Sequence, residues 1–202
     1  MKRVFIIHGW EDSPHNGWFP WIKKELQRQG IEVHAPLMPD PAWPKIDTWV
    51  PFLQRLVGPV DTETYFIGHS IGGQAVLRYF QGLPAGQQVG GVVLVGAWVT
   101  LKPEATADDD AAAVADPWLN RPLDWPLIRS HVKKVTAIMS DDDQFVPLDD
   151  KEVFRRELGA RIVIERQKRH MSGADGVMVL PSALTAINDQ LASGGFQEVN
   201  YS

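Results

Sequence analysis

The amino-acid sequence predicts an α/β protein with a mostly parallel sheet of about six strands and helices on both faces of the sheet. Short unbroken apolar runs, such as 4–7 and 92–95, alternate with longer segments in which apolar residues recur at helical spacing. Such runs are typical of strands buried on both faces, and their alternation with helices indicates parallel strands joined by helical crossovers. The length of 202 residues, 44% of them hydrophobic, suits a single domain, to which we assign 1–202.

The individual elements follow from these patterns and from the turn residues between them. The predicted strands are, in chain order, 4–7, 31–35, 64–67, 92–95, 135–139 and 161–165. The predicted helices are 18–29, 46–57, 71–81, 148–158 and 176–191. Gly30 ends the first helix, and four prolines within 36–44 indicate a loop.

Residues 100–128 interrupt this alternation. The segment carries three consecutive aspartates, an alanine run and two tryptophans. It is longer than the ~4–6 residues of a usual connection, so we predict a surface excursion or small lid near a functional edge. A mobile solvated loop is the alternative for its acidic half. Residues 193–202 receive no assignment.

Charge and composition exclude several functional classes. Lys and Arg number 20 and Asp and Glu 25, a formal net charge of −5 without a basic run, which argues against nucleic acid and anionic lipid as partners. The absence of cysteine excludes disulfides, a thiol nucleophile and thiolate metal sites. No stretch has the pattern of a secretory signal or the ~18 apolar residues of a membrane span, so we expect a cytoplasmic protein.

Ser70 is the candidate nucleophile. Residues 68–72 read Gly-His-Ser-Ile-Gly and fit Gly-x-Ser-x-Gly between a predicted strand and a predicted helix. A tight strand-to-helix turn of this kind exposes the serine hydroxyl above the sheet, and the helix N-terminus favours a developing negative charge. A serine hydroxyl also needs a base, and the base needs an acid that orients it.

A candidate acid and base follow later strands in the expected order. The aspartate run 141–143 follows the fifth predicted strand, and His170 follows the sixth. Parallel strands bring both to the carboxyl edge of the sheet, beside Ser70. Three carboxylates could instead bind a hard cation, but no second acidic cluster supplies further ligands.

These motifs together resemble the α/β-hydrolase superfamily: Gly-His-Ser-Ile-Gly-Gly, then Asp-x-x-Val-Pro, then a late histidine. More narrowly, 8–10, 17–26 and 38–41 resemble the small serine hydrolase family of retinoblastoma-binding protein nine and bacterial YdeN. Residues 120–122 with Trp125 also resemble that family. The resemblance covers nearly the whole chain and implies an α/β-hydrolase core with no large cap domain.

The resemblance also implies residue roles. Asp143 is the acid, because it stands at the spacing that precedes x-x-Val-Pro, and Asp141 and Asp142 are then loop-capping or solvated. The backbone N–H groups of Trp10 and Ile71 would form the oxyanion hole, with Glu11 as the nearest alternative donor. The mechanism needs neither a metal nor a cofactor.

Three tryptophans and one histidine are candidates for the substrate pocket. Trp10 and Trp98 follow strands and Trp118 lies in 100–128, so topology places all three near the active edge. His69 occupies the second position of the turn. Packing in the core or at the surface is the alternative for each tryptophan, and packing is the alternative for His69.

We therefore predict a serine hydrolase of the carboxylesterase type that cleaves small acyl esters through an acyl-enzyme. Ser70 attacks, His170 transfers the proton and Asp143 orients the imidazole. A thioesterase or an aminopeptidase-like hydrolase is one alternative, because the same apparatus serves them. A non-catalytic protein-binding member of the same fold is the other, although the sequence itself offers no support for a protein partner.

Overall fold

A computed structural model describes residues 1–192, and these residues form one six-stranded, all-parallel sheet and seven α-helices. The predicted fold class is therefore confirmed. Residues 193–202, which received no assignment from the sequence, lie outside the described residues.

The order of the strands places β3 in the interior of the sheet. The strands are β1 (Arg3–Ile7), β2 (Glu32–His34), β3 (Thr64–His69), β4 (Gly91–Val95), β5 (Val135–Ser140) and β6 (Arg161–Glu165). The helices are α1 (Phe19–Arg28), α2 (Ile46–Val57), α3 (Ile71–Gln81), α4 (Asp109–Leu119), α5 (Trp125–His131), α6 (Asp150–Leu158) and α7 (Pro181–Ala192), with a 3-10 helix at Pro103–Thr106. The sheet order is β2-β1-β3-β4-β5-β6. The carboxyl end of β3 thus lies between those of β1 and β4.

Two apolar clusters, one on each face of the sheet, form the core. Phe5 and Phe66 belong to the cluster beneath α2 and α3, whereas Val4 and Tyr65 belong to the cluster beneath α1 and α7. Neighbouring strand residues separate in this way because successive side chains point to opposite faces. All six residues of β3 are buried, including the polar Thr64 and His69 at its two ends, as expected for an interior strand of a parallel sheet.

Among the predicted helices, the largest boundary difference is at the start of α7. The predicted helix 176–191 begins only at Pro181, because proline is well suited to the first helical turn but lacks the N–H that a helix interior requires.

None of the helices in residues 1–192 has the length and apolar character needed to cross a membrane.

The segment 100–128 is largely helical, which corrects the alternative of a solvated loop for its acidic half. Asp108 caps α4, since its Oδ1 accepts a hydrogen bond from the N–H of Ala111 at 2.7 Å. Ala111, Val114 and Ala115 are buried along one side of this helix. Their three- and four-residue spacing places them on one helix face. Movement of the segment as a lid stays a prediction.

The structure contradicts the placement of Trp118 in the substrate pocket. Its side chain is 1% exposed and packs edge-on against Trp49 of α2. The indole Nε1–H donates to the carbonyl of Pro44 at 3.0 Å, and the guanidinium of Arg78 lies 5.7 Å from the ring. Trp118 therefore belongs to the core and anchors α4 to α2 and α3.

We predict that Trp118→Ala lowers the free energy of unfolding by about 3–5 kcal/mol, because it removes a fully buried aromatic side chain. Trp43→Ala is the control, since Trp43 is 41% exposed, and we expect it to cost less than about 1 kcal/mol. Urea unfolding of both variants measures the difference. Equal losses would contradict the anchoring role of Trp118.

Candidate active site

Ser70 lies in the sharp turn between β3 and α3. Its φ of 53° and ψ of −127° are rare for a residue with a side chain. Its N–H donates to the carbonyl of Val95 at 2.9 Å, which holds the turn. A Cβ atom on Gly72 would stand 2.5 Å from the carbonyl oxygen of His8, so only glycine allows α3 to approach the end of β1 this closely.

His170 and Asp143 reach Ser70 from the loops after β6 and β5. Nε2 of His170 is 2.8 Å from Oγ of Ser70, and Nδ1 is 2.8 Å from Oδ2 of Asp143. The Asp143 side chain is 2% exposed, and its Oδ1 accepts the N–H groups of Phe145 and Val146 at 2.8 and 3.0 Å. The structure thus joins the three predicted residues in one hydrogen-bonded chain.

This chain requires one arrangement of protons. The Asp143 carboxylate can only accept, so Nδ1 of His170 carries a proton and donates it. Nε2 is then left with a lone pair directed at the Ser70 hydroxyl. A serine hydrogen-bonded to an oriented base in this way can act as a nucleophile.

Two backbone N–H groups beside Ser70 donate no hydrogen bond to any of the described residues. Ile71 begins α3, so its N–H has no acceptor within the helix. Neither this N–H nor that of Trp10 has a hydrogen-bond acceptor within residues 1–192, and both residues line the cavity at Ser70. Glu11, the alternative donor, instead gives its N–H to the carbonyl of Pro41 at 2.8 Å.

His8 fixes the direction of one of these donors. Its Nε2 accepts the N–H of Met38 at 2.9 Å, so Nδ1 carries the proton and donates to the carbonyl of Gly9 at 2.7 Å. Burial lowers the pKa of His8 and so favours this neutral form. The Gly9 carbonyl and the Trp10 N–H belong to one planar peptide unit, so the bond also orients the N–H. The sequence did not reveal this role.

His69 supports the loop that carries His170. Its Nε2–H donates to the His170 carbonyl at 2.9 Å, and the two rings lie 5.1 Å apart. Burial and the neighbouring His170 lower the pKa of His69 to about 4, so the ring is neutral at pH 7. His69 therefore holds the backbone of His170, and its Nε2–H is already used in that hydrogen bond.

The other two aspartates of the run hold the loop after β6. Oδ1 of Asp141 accepts the N–H of Gln167 at 2.9 Å. Oδ1 of Asp142 accepts the Ser140 hydroxyl and the N–H of Arg169, both at 2.7 Å, and these hydrogen bonds lower the pKa of Asp142. No group of three or more histidine or acidic side chains within residues 1–192 is arranged to hold a metal ion.

A cavity of about 640 Å³ opens at Ser70. Three of the four tryptophan and histidine candidates lie on its wall: Trp10, His69 and Trp98. Sequence reasoning placed the segment 100–128 near the functional edge but missed which of its residues line the cavity, namely Leu101, Ala105, Val114 and Ala115. The signal was present in the helical spacing of the apolar residues of α4.

Comparison with known proteins places this site in a family. The model of the serine hydrolase family matches residues 4–189. The chain belongs to the serine hydrolase family. This serine hydrolase is 29% identical over 180 residues to YdeN of Bacillus subtilis, covering 89% of this chain and 91% of that protein. It is 28% identical over 190 residues to the serine hydrolase RBBP9 of Rattus norvegicus, covering 91% and 96%. The predicted resemblance is confirmed.

Solved structures share the fold of this serine hydrolase. The crystal structure of the ydeN gene product of B. subtilis superimposes with a TM-score of 0.87 at 27% identity, over 96% of this chain and 100% of that one. Est1E of Butyrivibrio proteoclasticus, solved with ferulic acid bound, gives a TM-score of 0.70 at 13% identity, over 96% and 90%. The α/β-hydrolase fold is thus confirmed, and residues 1–192 contain no separate cap domain.

The buried His69 generates a prediction about stability and pH. In an unfolded chain histidine has a pKa near 6.5, whereas His69 has one of about 4 when folded. Between these values the unfolded state binds more protons, so the free energy of unfolding falls as the pH drops from about 6.5 to 4. This fall in the free energy of unfolding amounts to about 3 kcal/mol. His69→Gln removes it and keeps an N–H donor.

Urea unfolding between pH 7 and pH 4 tests this prediction. We expect His69→Gln to lose less stability over this range than the wild type. His15→Gln, in the exposed part of the β1–α1 loop, is the control and should follow the wild-type curve. Parallel curves for His69→Gln and the wild type would overturn the prediction.

Proposed function

We propose that this serine hydrolase is a carboxylesterase that cleaves small acyl esters through an acyl-enzyme. One observation carries the proposal: the hydrogen-bonded chain from Ser70 through His170 to Asp143, with 2.8 Å at both junctions. This geometry supports a nucleophile, its base and the acid that orients the base. The cavity of about 640 Å³ suits a small-molecule substrate.

Acylation begins when Oγ of Ser70 attacks the ester carbonyl carbon while its proton passes to Nε2 of His170. The negative charge of the tetrahedral intermediate is bound by the N–H groups of Trp10 and Ile71. The bond to the alcohol oxygen then breaks as His170 returns the proton to that oxygen. The alcohol leaves, and the acyl group stays on Ser70.

Deacylation repeats these steps with water as the nucleophile. Water gives a proton to Nε2 of His170 and attacks the acyl carbon, and the same two N–H groups bind the second oxyanion. Ser70 leaves with the proton from His170, and the carboxylic acid is released. Asp143 stays ionised throughout and stabilises the imidazolium.

The oxyanion donors are oriented before the substrate arrives. The N–H of Ile71 is held by its position in the first turn of α3, and that of Trp10 is held through the His8–Gly9 hydrogen bond. Donors that need no reorganisation stabilise the transition state strongly, and the loss of one typically costs about 10²–10³ in rate.

The names of structural neighbours favour ester substrates. Est1E was solved with ferulic acid bound, and a structure of the same fold from Rhodococcus, at a TM-score of 0.65, is named an esterase. Both are under 25% identical to this chain, so they support an ester substrate for this serine hydrolase only by analogy of fold.

Covalent labelling tests Ser70 as the nucleophile. We expect an uncharged fluorophosphonate probe to add one adduct to the wild type, detected as intact mass, and none to Ser70→Ala. Ser172→Ala is the control, since Ser172 also lines the cavity but donates its hydroxyl to Asp175 at 2.7 Å, and it should still be labelled. If the wild type is folded but not labelled, the proposed hydrolase activity is rejected and the protein-binding alternative is favoured.

A pair of aspartate variants tests the acid. We expect Asp143→Asn to lower kcat/KM for para-nitrophenyl butyrate by about 10³–10⁴, because the amide no longer orients the imidazole in the productive tautomer. Asp142→Asn, one residue earlier, contacts Ser140 and Arg169 instead, and we expect a loss below about tenfold. Equal losses in the two variants would remove the case for Asp143.

A further inference from the structure

The cavity at Ser70 has two chemically different walls. Trp98, Leu101 and Val114 form an apolar wall that continues into the core beneath α2 and α3. The β1–α1 loop forms a polar wall, which includes Glu11 and Asp12. A substrate seated in this cavity therefore contacts both an apolar and a polar surface.

The polar wall is negatively charged. It presents two carboxylates, whereas no Lys or Arg side chain lines the cavity in the described part of the chain. Neither Glu11 nor Asp12 takes part in an ion pair within residues 1–192. Two basic side chains bind partners near the site. Lys102 donates to the carbonyl of Asp143 at 2.6 Å, and Arg169 forms an ion pair with Asp175. The charge of the wall is thus not neutralised by the protein.

The two carboxylates differ in their contacts. Oδ1 of Asp12 accepts the N–H of Ser13 at 2.8 Å and the side-chain amide of Asn16 at 3.0 Å, which fixes it in the loop. The Glu11 side chain is exposed and accepts no hydrogen bond among the described residues. Glu11 is therefore available to a ligand without breaking an existing contact.

The ring of Trp10 adds to the attraction for a cation. Trp10 lines the cavity beside Glu11, and its indole is held by donation to the carbonyl of Ala42 at 2.8 Å. A tryptophan together with carboxylates is a combination that attracts ammonium groups through cation–π and Coulomb interactions.

Resting on the esterase function proposed above, we propose that the substrate carries an ammonium group next to an apolar group. The ammonium group binds at Trp10, Glu11 and Asp12. The apolar group binds at Trp98, Leu101 and Val114. The same wall repels anionic substrates, because it offers two negative charges and no compensating cation.

Two substrate pairs test this inference and identify which part of the ester carries the charge. In the first, butyrylcholine is compared with neohexyl butyrate, its neutral isostere in the alcohol. In the second, the para-nitrophenyl ester of γ-trimethylammoniobutyrate is compared with the tert-butyl analogue of its acyl chain. We expect kcat/KM to be about five- to tenfold higher for the cationic member of one pair. The preference should shrink at about 0.5 M salt, which screens exposed charges.

Glu11→Gln supplies the matched variant, because it removes the charge and keeps the shape. We expect the preference for the cationic ester to fall to about twofold or less. Glu63→Gln removes an equal charge immediately before β3, at the opposite edge of the sheet, and should keep the wild-type ratio. A ratio near one in both wild-type pairs, or equal ratios in the two variants, would overturn the inference.

Fluorophosphonate labelling of Ser70 separates the two proposals. If Ser70 is labelled and neutral esters are cleaved as fast as cationic ones, the esterase function stands and the ammonium specificity fails. If Ser70 is not labelled in the folded wild type, the esterase function fails and the specificity fails with it.

Discussion

The close approach of α3 to the end of β1 is the contact on which the active site depends. A Cβ atom on Gly72 would lie 2.5 Å from the carbonyl oxygens of Ile7 and His8, so the approach is possible only without a side chain. It brings the turn at Ser70 beside the loop after β1. The free N–H groups of Ile71, at the start of α3, and of Trp10, in the loop after β1, therefore belong to one cavity.

Three histidines surround this contact, and their surroundings give each a different task. His8 and His69 are buried, have lowered pKa values, and each donates one N–H to a backbone carbonyl. His170 instead lies between a carboxylate and a hydroxyl, so its imidazole is the one positioned to exchange protons. The two neutral rings hold the loops that carry Trp10 and His170. A charged His8 would lose the hydrogen bond from the N–H of Met38, and a charged His69 would bury a second N–H without a partner among the described residues.

Local patterns predicted the sheet and the turn at Ser70, because an apolar run, paired glycines and a helical repeat are all short-range signals. Asp143 could be separated from Asp141 and Asp142 only through the family resemblance, since all three follow the same strand. The burial of Trp118 could not be predicted from the sequence, because it depends on contacts with Trp49 and Arg78, which are distant along the chain. His8 was equally hidden, since its role arises from a hydrogen bond to Met38.

The residues of α4 have two different surroundings: Trp118 packs in the core, and Val114 and Ala115 line the cavity. Its C-terminal end is fastened by Trp118, whose carbonyl accepts a hydrogen bond from the buried Arg78, while Val114 and Ala115 on the preceding turn face the cavity. Among the described residues, none of these four forms a hydrogen bond with Ser70, His170 or Asp143. If the proposed function holds, exchanges among small and medium apolar residues at Val114 and Ala115 would change the size of the substrate that the cavity accepts without altering Ser70, His170 or Asp143.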